Sequence, residues 1–188
     1  MKKVLLVVAL VLTVGIAANA QFKFGVKAGV GFVGINDKDA DMRMGATAGV
    51  LGQFKLGDKW AIQPEVLFNA QGSKYKGDTQ TQTWRFNYIA VPVMAQRYIS
   101  EGLSIEAGPQ LGILLSSKTK YGGKSYNKKD NSETIEVALN AGVAYELTSI
   151  PIGFFARYSF GLTEVSKTSL LGEDLKNHVI QLGAFIKF

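Results

Sequence analysis

The stretch Ile62-Gln-Pro-Glu-Val-Leu-Phe-Asn-Ala-Gln-Gly72 alternates apolar and polar side chains, yet it carries a proline and a glutamate in its middle. Proline cannot donate a hydrogen bond to a sheet ladder, and a carboxylate on a core face is costly unless it is paired. Both residues are accommodated if Ile62 and Val66 contact lipid while Glu65 faces a polar lumen. We therefore predict a membrane strand, with a bulge or local break at Pro64.

Similar period-two alternation recurs along the whole chain and predicts eight strands. The predicted strands cover 22–32, 44–56, 60–70, 84–98, 103–115, 135–147, 152–162 and 178–188. Short turns rich in turn-forming residues at 57–59, 100–102 and 148–151 alternate with longer polar connections at 35–42, 73–83, 117–132 and 166–176. Outer-membrane barrels share this arrangement, with short periplasmic turns and long external loops. The predicted fold class is all-β, an eight-stranded antiparallel up-and-down transmembrane β-barrel with an OmpA/OmpX-like meander.

The first twenty residues have the features of a secretory signal peptide. Lys2 and Lys3 precede an apolar segment, and Ala18-Asn19-Ala20 is a small-residue cleavage site. The apolar segment is short for a membrane-spanning helix, which needs about 20 residues. We therefore predict a signal peptide over 1–20 and one barrel domain over 21–188. The chain contains no cysteine, so disulfides and thiolate chemistry are excluded.

Charged residues fall on the predicted lumenal faces. An eight-stranded barrel is just wide enough for its interior to be filled by side chains, so inward charges need partners. We predict that Glu65 and Arg157 both point inward within a shared structural network. The other predicted members are Lys27, Lys55, Glu106 and Glu136. Barrel shear is not readable from sequence, so the nearest partner of Glu65 stays open between Arg157, Lys27, Lys55 and Arg43.

The last strand ends on an aromatic residue. Ile180, Leu182, Ala184 and Ile186 alternate up to the terminal Phe188. This ending resembles the C-terminal signal by which outer-membrane barrels are recognised for assembly. We therefore assign Phe188 as a candidate assembly signal, with the barrel-assembly machinery as the implied partner during insertion.

Several strands resemble those of the PorT-like outer-membrane β-barrel family of Bacteroidota. The stretch Ile62–Gly72 is similar to a strand of that family beginning QPE, and Tyr88–Tyr98 (YIAVPVMAQRY) is similar to its YLEIPLLLKY strand, with Ala90 in place of an acidic residue. Ala107–Leu115 and Ala156–Thr163 resemble two further family strands. These motifs are structural, and the resemblance implies an outer-membrane location without naming a substrate.

No residue constellation points to catalysis. His178 is the only histidine, so a cluster of histidine ligands is excluded, and we interpret it as a residue at the edge of a loop. The formal charge of +6 is spread along the chain and does not indicate nucleic-acid binding. We predict no cofactor and no metal. The expected partners are outer-membrane lipid, lipopolysaccharide and an unidentified protein at the long loops.

Two other classes remain open from the sequence. A soluble, exported lipocalin-like barrel would point its apolar face inward to bind a small apolar ligand. A lipid-modifying barrel enzyme would need a histidine and serine constellation that is not evident here. For the outer-membrane barrel itself, adhesion, envelope stability, a narrow channel and partnership in secretion are all compatible with the pattern.

Overall fold

The computed structural model describes residues 22–35, 40–41, 43–76, 81–121, 124–127, 135–164 and 176–188, and in these ranges the chain is built from strands. The strands are β1 (Phe22–Ile35), β2 (Ala40–Asp41), β3 (Arg43–Leu56), β4 (Trp60–Lys76), β5 (Thr81–Tyr98), β6 (Leu103–Tyr121), β7 (Lys124–Asn127), β8 (Ile135–Glu146), β9 (Ile152–Glu164) and β10 (Lys176–Lys187). No helix in these ranges is long and apolar enough to cross a membrane.

Eight long strands close into a ring. Their order is β4-β3-β1-β10-β9-β8-β6-β5, and β5 pairs back onto β4. The first and last strands seal the wall antiparallel, from Gly25 opposite Lys187 to Ile35 opposite Asn177. The short β2 and β7 pair with β4 and β6 outside this ring. The predicted eight-stranded antiparallel up-and-down barrel is confirmed.

The two faces of the wall carry opposite chemistry. Apolar side chains on the outer face are exposed; Phe24, Val66 and Tyr158 are examples. Polar and charged side chains on the inner face are buried; Gln53, Glu65 and Arg157 are exposed by no more than 2%. This is the distribution expected when hydrocarbon surrounds the barrel. A soluble carrier requires the reverse distribution, so the lipocalin-like alternative does not match the structure.

Aromatic side chains near the short turns occupy both faces of the wall. Phe22, Trp60 and Tyr145 are exposed on the outer face. Tyr98 faces inward, where its hydroxyl accepts a hydrogen bond from Gln53 and donates one to Glu146. The position of Tyr98 in β5, two and four residues after the inward Gln96 and Met94, places it on the inner face.

Several strands run further than the alternation predicted, and β4 and β6 do so most. The connections expected at 73–83 and 117–132 are partly strand, since β4 continues to Lys76, β5 begins at Thr81 and β6 continues to Tyr121. Beyond the hydrocarbon both faces of a strand meet water, so apolar and polar residues need not alternate there. The backbone hydrogen bonds between strands continue without that alternation. Hydrophobic periodicity therefore marks the membrane part of a strand and underestimates its full length.

Pro64 interrupts pairing without shifting register. Between β3 and β4, pairing stops at Leu51 opposite Glu65 and resumes at Phe54 opposite Ile62. The residue numbers on either side of the gap keep the same register, so the irregularity is a local break rather than a bulge. The missing proline N–H accounts for the break. A register shift does occur elsewhere, between Asn87 and Tyr88 of β5, which the sequence did not indicate.

Candidate functional site

Four charged side chains meet in the centre of the barrel. They come from four strands: Lys27 from β1, Glu65 from β4, Glu106 from β6 and Arg157 from β9. Each lies at an inward position of its strand, and each residue is exposed by 3% or less. Two positive and two negative groups make this cluster, here called the central charge cluster, formally neutral.

Arg157 binds both carboxylates of the central charge cluster. Its Nη1 and Nη2 donate to Glu65 Oε2 and Oε1 at 2.8 and 2.9 Å, a bidentate pair. Its Nε donates to Glu106 Oε1 at 2.9 Å. A planar guanidinium with fixed donors can hold two carboxylates at once, which a lysine cannot do. The sequence-predicted association of Glu65 with Arg157 is therefore a direct contact in the structure.

Lys27 completes the set of cations around Glu65. Its Nζ donates to Glu65 Oε1 at 3.0 Å and lies 3.9 Å from the centroid of the Phe155 ring. Gln63 Nε2 donates to the same carboxylate oxygen at 2.7 Å. Glu65 thus accepts hydrogen bonds from three side chains. This satisfaction of its oxygens is what makes a buried carboxylate tolerable.

Hydrogen bonds continue from the cluster to the short-turn end. Gln96 Nε2 donates to Glu106 Oε2 at 3.1 Å, and Gln53 Nε2 donates to Gln96 Oε1 at 2.6 Å. Gln53 also donates to the Tyr98 hydroxyl at 3.0 Å, and Tyr98 in turn donates to Glu146. Lys187 Nζ donates to Glu146 Oε1 at 2.7 Å. Tyr98, Glu146 and Lys187 together form a polar layer at this end of the barrel.

The other half of the interior is filled by smaller polar groups and by apolar side chains. Asn140 donates to Gln110 at 3.3 Å and accepts from Ser159, and Thr47 donates to Asn69 at 2.6 Å. Leu67, Met94 and Leu114 are buried at inward positions of their strands. Over the described residues the interior is therefore a packed core made largely of polar side chains.

The remaining predicted network residues lie apart from the central charge cluster. Lys55 sits near the short turns, with its Nζ 5.4 Å from the centroid of the Tyr98 ring, rather than on Glu65. Glu136 is a buried, inward residue of β8. Arg43, the other proposed partner of Glu65, has its side chain outside the described residues. Which cation reaches Glu65 depends on the stagger between strands around the barrel. In the structure Lys27 contacts Glu65 in addition to Arg157.

The polar residues between the cluster and the turns were not singled out from sequence. Gln53, Gln96, Tyr98, Glu146 and Lys187 all lie at inward positions near the short turns. The alternation of inward and outward positions along each strand was the sequence feature that placed them on the inner face. An inward position does not say which partner a side chain reaches, so the sequence did not assign these residues to the network.

Cavities open at the short-turn end. One of about 500 Å³ is lined by Lys23, Lys55, Tyr98 and Glu146, and one of about 290 Å³ by Lys23, Phe185 and Lys187 among others. Both reach the layer formed by Tyr98, Glu146 and Lys187. That layer and the central charge cluster stand between these cavities and the opposite end of the barrel.

His178 lies on the outer face rather than in the lumen. Its Nδ1 is 2.8 Å from the Tyr158 hydroxyl, and its ring centroid is 5.1 Å from that of Phe160. In the described part of the chain, no group of three or more histidine, aspartate or glutamate residues could hold a metal ion.

Two solved outer-membrane barrels have the same fold. Ail, the attachment invasion locus protein of Yersinia pestis, aligns with a TM-score of 0.56 and 16% identity over 91% of this chain and 100% of that chain. Neisserial surface protein A aligns with a TM-score of 0.57 and 14% identity, with the same coverage of both chains. At these identities the likeness shows the fold.

The comparison with curated proteins found no match. A family model described as "Outer membrane protein beta-barrel domain" matches residues 12–167, most of the chain. The match agrees with the closed ring of strands, the outward apolar face and the buried polar interior. This chain therefore belongs to the outer membrane protein beta-barrel domain family and is a protein of the outer membrane.

Proposed function

We propose that this protein is a small, non-catalytic integral barrel with a structural or interaction role in the cell envelope. The observation that carries the proposal is the closed interior, in which the central charge cluster is paired within itself. Every strong cation and anion in that cluster has a protein partner at 3.0 Å or less. An interior organised in this way supports the wall and leaves the external and lipid-facing surfaces for recognition.

The experiment that tests this role is conductance of the purified monomer in a planar bilayer. We expect no stable, large single-channel currents, because an eight-stranded barrel filled by side chains has no wide aqueous path. A porin of 16 or more strands, measured in the same bilayers, is the positive control. Stable currents of porin size from the monomer would contradict the closed interior and favour a channel function.

The external ends of β4, β5 and β6 are the proposed interaction surface. These strands are the longest in the barrel, at 17, 18 and 19 residues, and β2 and β7 widen the sheet beside them. The sequence from 118 to 129 carries five lysines. This basic character supports contact with phosphate groups of lipopolysaccharide or with an unidentified protein partner.

Membership of the PorT-like family of Bacteroidota is the finer assignment that we propose. It is supported by the motifs in the stretches 62–72, 88–98, 107–115 and 156–163. We also propose that residues 1–20 are a cleaved signal peptide and that 21–188 form the mature domain. The charged start, the apolar segment and the small-residue cleavage site support this division.

Phe188 is proposed as the recognition element for the barrel-assembly machinery. The residue is 71% exposed, while its backbone N–H donates to Phe24 O at 2.6 Å, so the aromatic side chain contributes little to internal packing. Deleting Phe188 should therefore strongly reduce the amount of protein in the outer membrane. Quantitative immunoblotting of membrane fractions measures this.

The control separates recognition from stability. The same deletion variant, refolded in detergent without the assembly machinery, should form the barrel at close to the normal yield, as judged by gel mobility before and after boiling. Normal levels of the variant in the outer membrane would show that Phe188 is not the recognition element.

A further inference from the structure

The outer face of the barrel has a notch where Pro64 interrupts the wall. The gap in pairing between β3 and β4 spans Gly52, Gln53, Gln63 and Pro64. The next interface has a gap directly beside it, because pairing between β4 and β5 stops at Pro64 opposite Val93 and resumes at Leu67 opposite Ala90. The two adjacent interruptions weaken the wall locally, and a third follows between β5 and β6, where pairing stops at Pro92 opposite Gln110 and resumes at Ala95 opposite Ala107.

The notch has a volume of about 200 Å³ and is lined by the rings of Phe22, Phe24 and Phe54 together with Gly52, Pro64 and Val66. Gly52 leaves the space open, since a Cβ at that position would lie 3.1 Å from the Phe22 ring. The lining is almost wholly apolar and faces hydrocarbon. An apolar chain is therefore the chemically matched occupant.

A basic and aromatic pair lies on the same strands, nearer the short turns. Trp60 of β4 is directly opposite Arg97 of β5, and the Arg97 guanidinium carbon is 5.5 Å from the Trp60 ring centroid. Both side chains are exposed on the outer face. Tryptophan favours the membrane interface, and an arginine guanidinium binds phosphate oxygens with matched geometry.

The spacing of the two features fits one lipid molecule. Trp60 and Pro64 are four residues apart, roughly 13 Å along the strand at 3.3 Å per residue. The short-turn end is periplasmic in barrels of this kind, so Trp60 and Arg97 lie at the headgroup level of the periplasmic leaflet. A phosphate on Arg97 would place the acyl chain of the same lipid over the notch.

We propose that the outer face of β1, β3, β4 and β5 is a binding site for one phospholipid of the periplasmic leaflet. Its phosphate binds Arg97 beside Trp60, and one acyl chain fills the notch at Gly52 and Pro64. The chain also covers the stretch of wall where the ladder is interrupted. The site requires only the outer-membrane location and no particular external partner.

Native mass spectrometry of the full mature protein, released from vesicles of phosphatidylethanolamine and phosphatidylglycerol, tests the site. We expect one phospholipid to be retained by the unmodified protein. The variant Arg97→Gln removes the phosphate contact and should weaken retention roughly tenfold, the scale of one charge-assisted contact. The variant Gly52→Leu fills the notch and should also weaken retention. Ala141→Leu, an outward substitution on β8, which pairs with neither β4 nor β5, is the matched control and should retain the lipid.

A second experiment tests the phosphate contact at Arg97 separately from the apolar notch, and it needs no substitution in the notch. Diacylglycerol, which lacks the phosphate, should bind equally to the unmodified protein and to Arg97→Gln. The proposal is overturned if the unmodified protein retains no lipid. It is also overturned if Arg97→Gln retains phospholipid as well as Ala141→Leu does.

Discussion

Replacing Glu65 with alanine is expected to lower the free energy of unfolding by about 3–5 kcal/mol, the range for removing one partner of a buried ion pair. Glu65 is 1% exposed and accepts hydrogen bonds from Arg157, Lys27 and Gln63. Its loss leaves two buried cations facing Glu106 alone. Urea unfolding in lipid vesicles, followed by tryptophan fluorescence, measures the change.

Two further variants locate the origin of this effect. Glu101→Ala removes an exposed carboxylate from a short turn and should change stability by no more than about 0.5 kcal/mol. The double variant Glu65→Gln with Lys27→Gln removes one charge of each sign, so it should be less destabilised than Glu65→Ala. A Glu65→Ala protein as stable as Glu101→Ala would show that water, and not pairing, satisfies these cations.

Replacing Gly108 with alanine is expected to destabilise the barrel by at least ~3 kcal/mol, the upper part of the range for overpacking. A Cβ at Gly108 would lie 2.0 Å from Val93 O and 3.0 Å from Met94 Cα. Both are backbone atoms of the neighbouring strand, so the strands themselves must separate. The yield of refolded barrel in detergent, read from gel mobility before and after boiling, measures the loss.

Gly112 provides the matched control, since it lies on the same face of the same strand. A Cβ there would be 3.2 Å from the Glu136 Cβ, which a shift of a few tenths of an ångström relieves, and 3.6 Å from the Glu136 backbone oxygen, an ordinary contact. Gly112→Ala should therefore refold nearly as well as the unmodified protein. Equal refolding yields for the two alanine variants would contradict the close approach of β5 to Gly108.

Two structural reasons favour glycine at inward positions of the wall. At Gly112 the neighbouring atoms include the Glu136 side chain, so space for a charged residue is part of the reason. At Gly49 and Gly108 a Cβ would meet a backbone oxygen at 2.0 Å. There the requirement is close approach of two strands, which only residues without a Cβ permit.

The sequence by itself determined the fold, the inner and outer faces and the short turns. A period of two assigns every side chain of a strand to one of two sides, and lipid outside with polar groups inside makes the assignment unambiguous. Glu65, Glu106 and Arg157 were placed on the inner face by that rule. The end of the hydrophobic pattern, by contrast, did not mark the end of β4, β5 or β6.

Only the tertiary structure decided which inward groups touch. Contacts across a barrel depend on strand tilt and on the register of every pair around the ring, and local sequence carries little of that information. The register brings Lys27 and Arg157 to Glu65 while Lys55 lies beside Tyr98. The register also aligns the interruption at Pro64 with the rings of Phe22 and Phe54. The notch is a product of four strands, so no single stretch of sequence contains it.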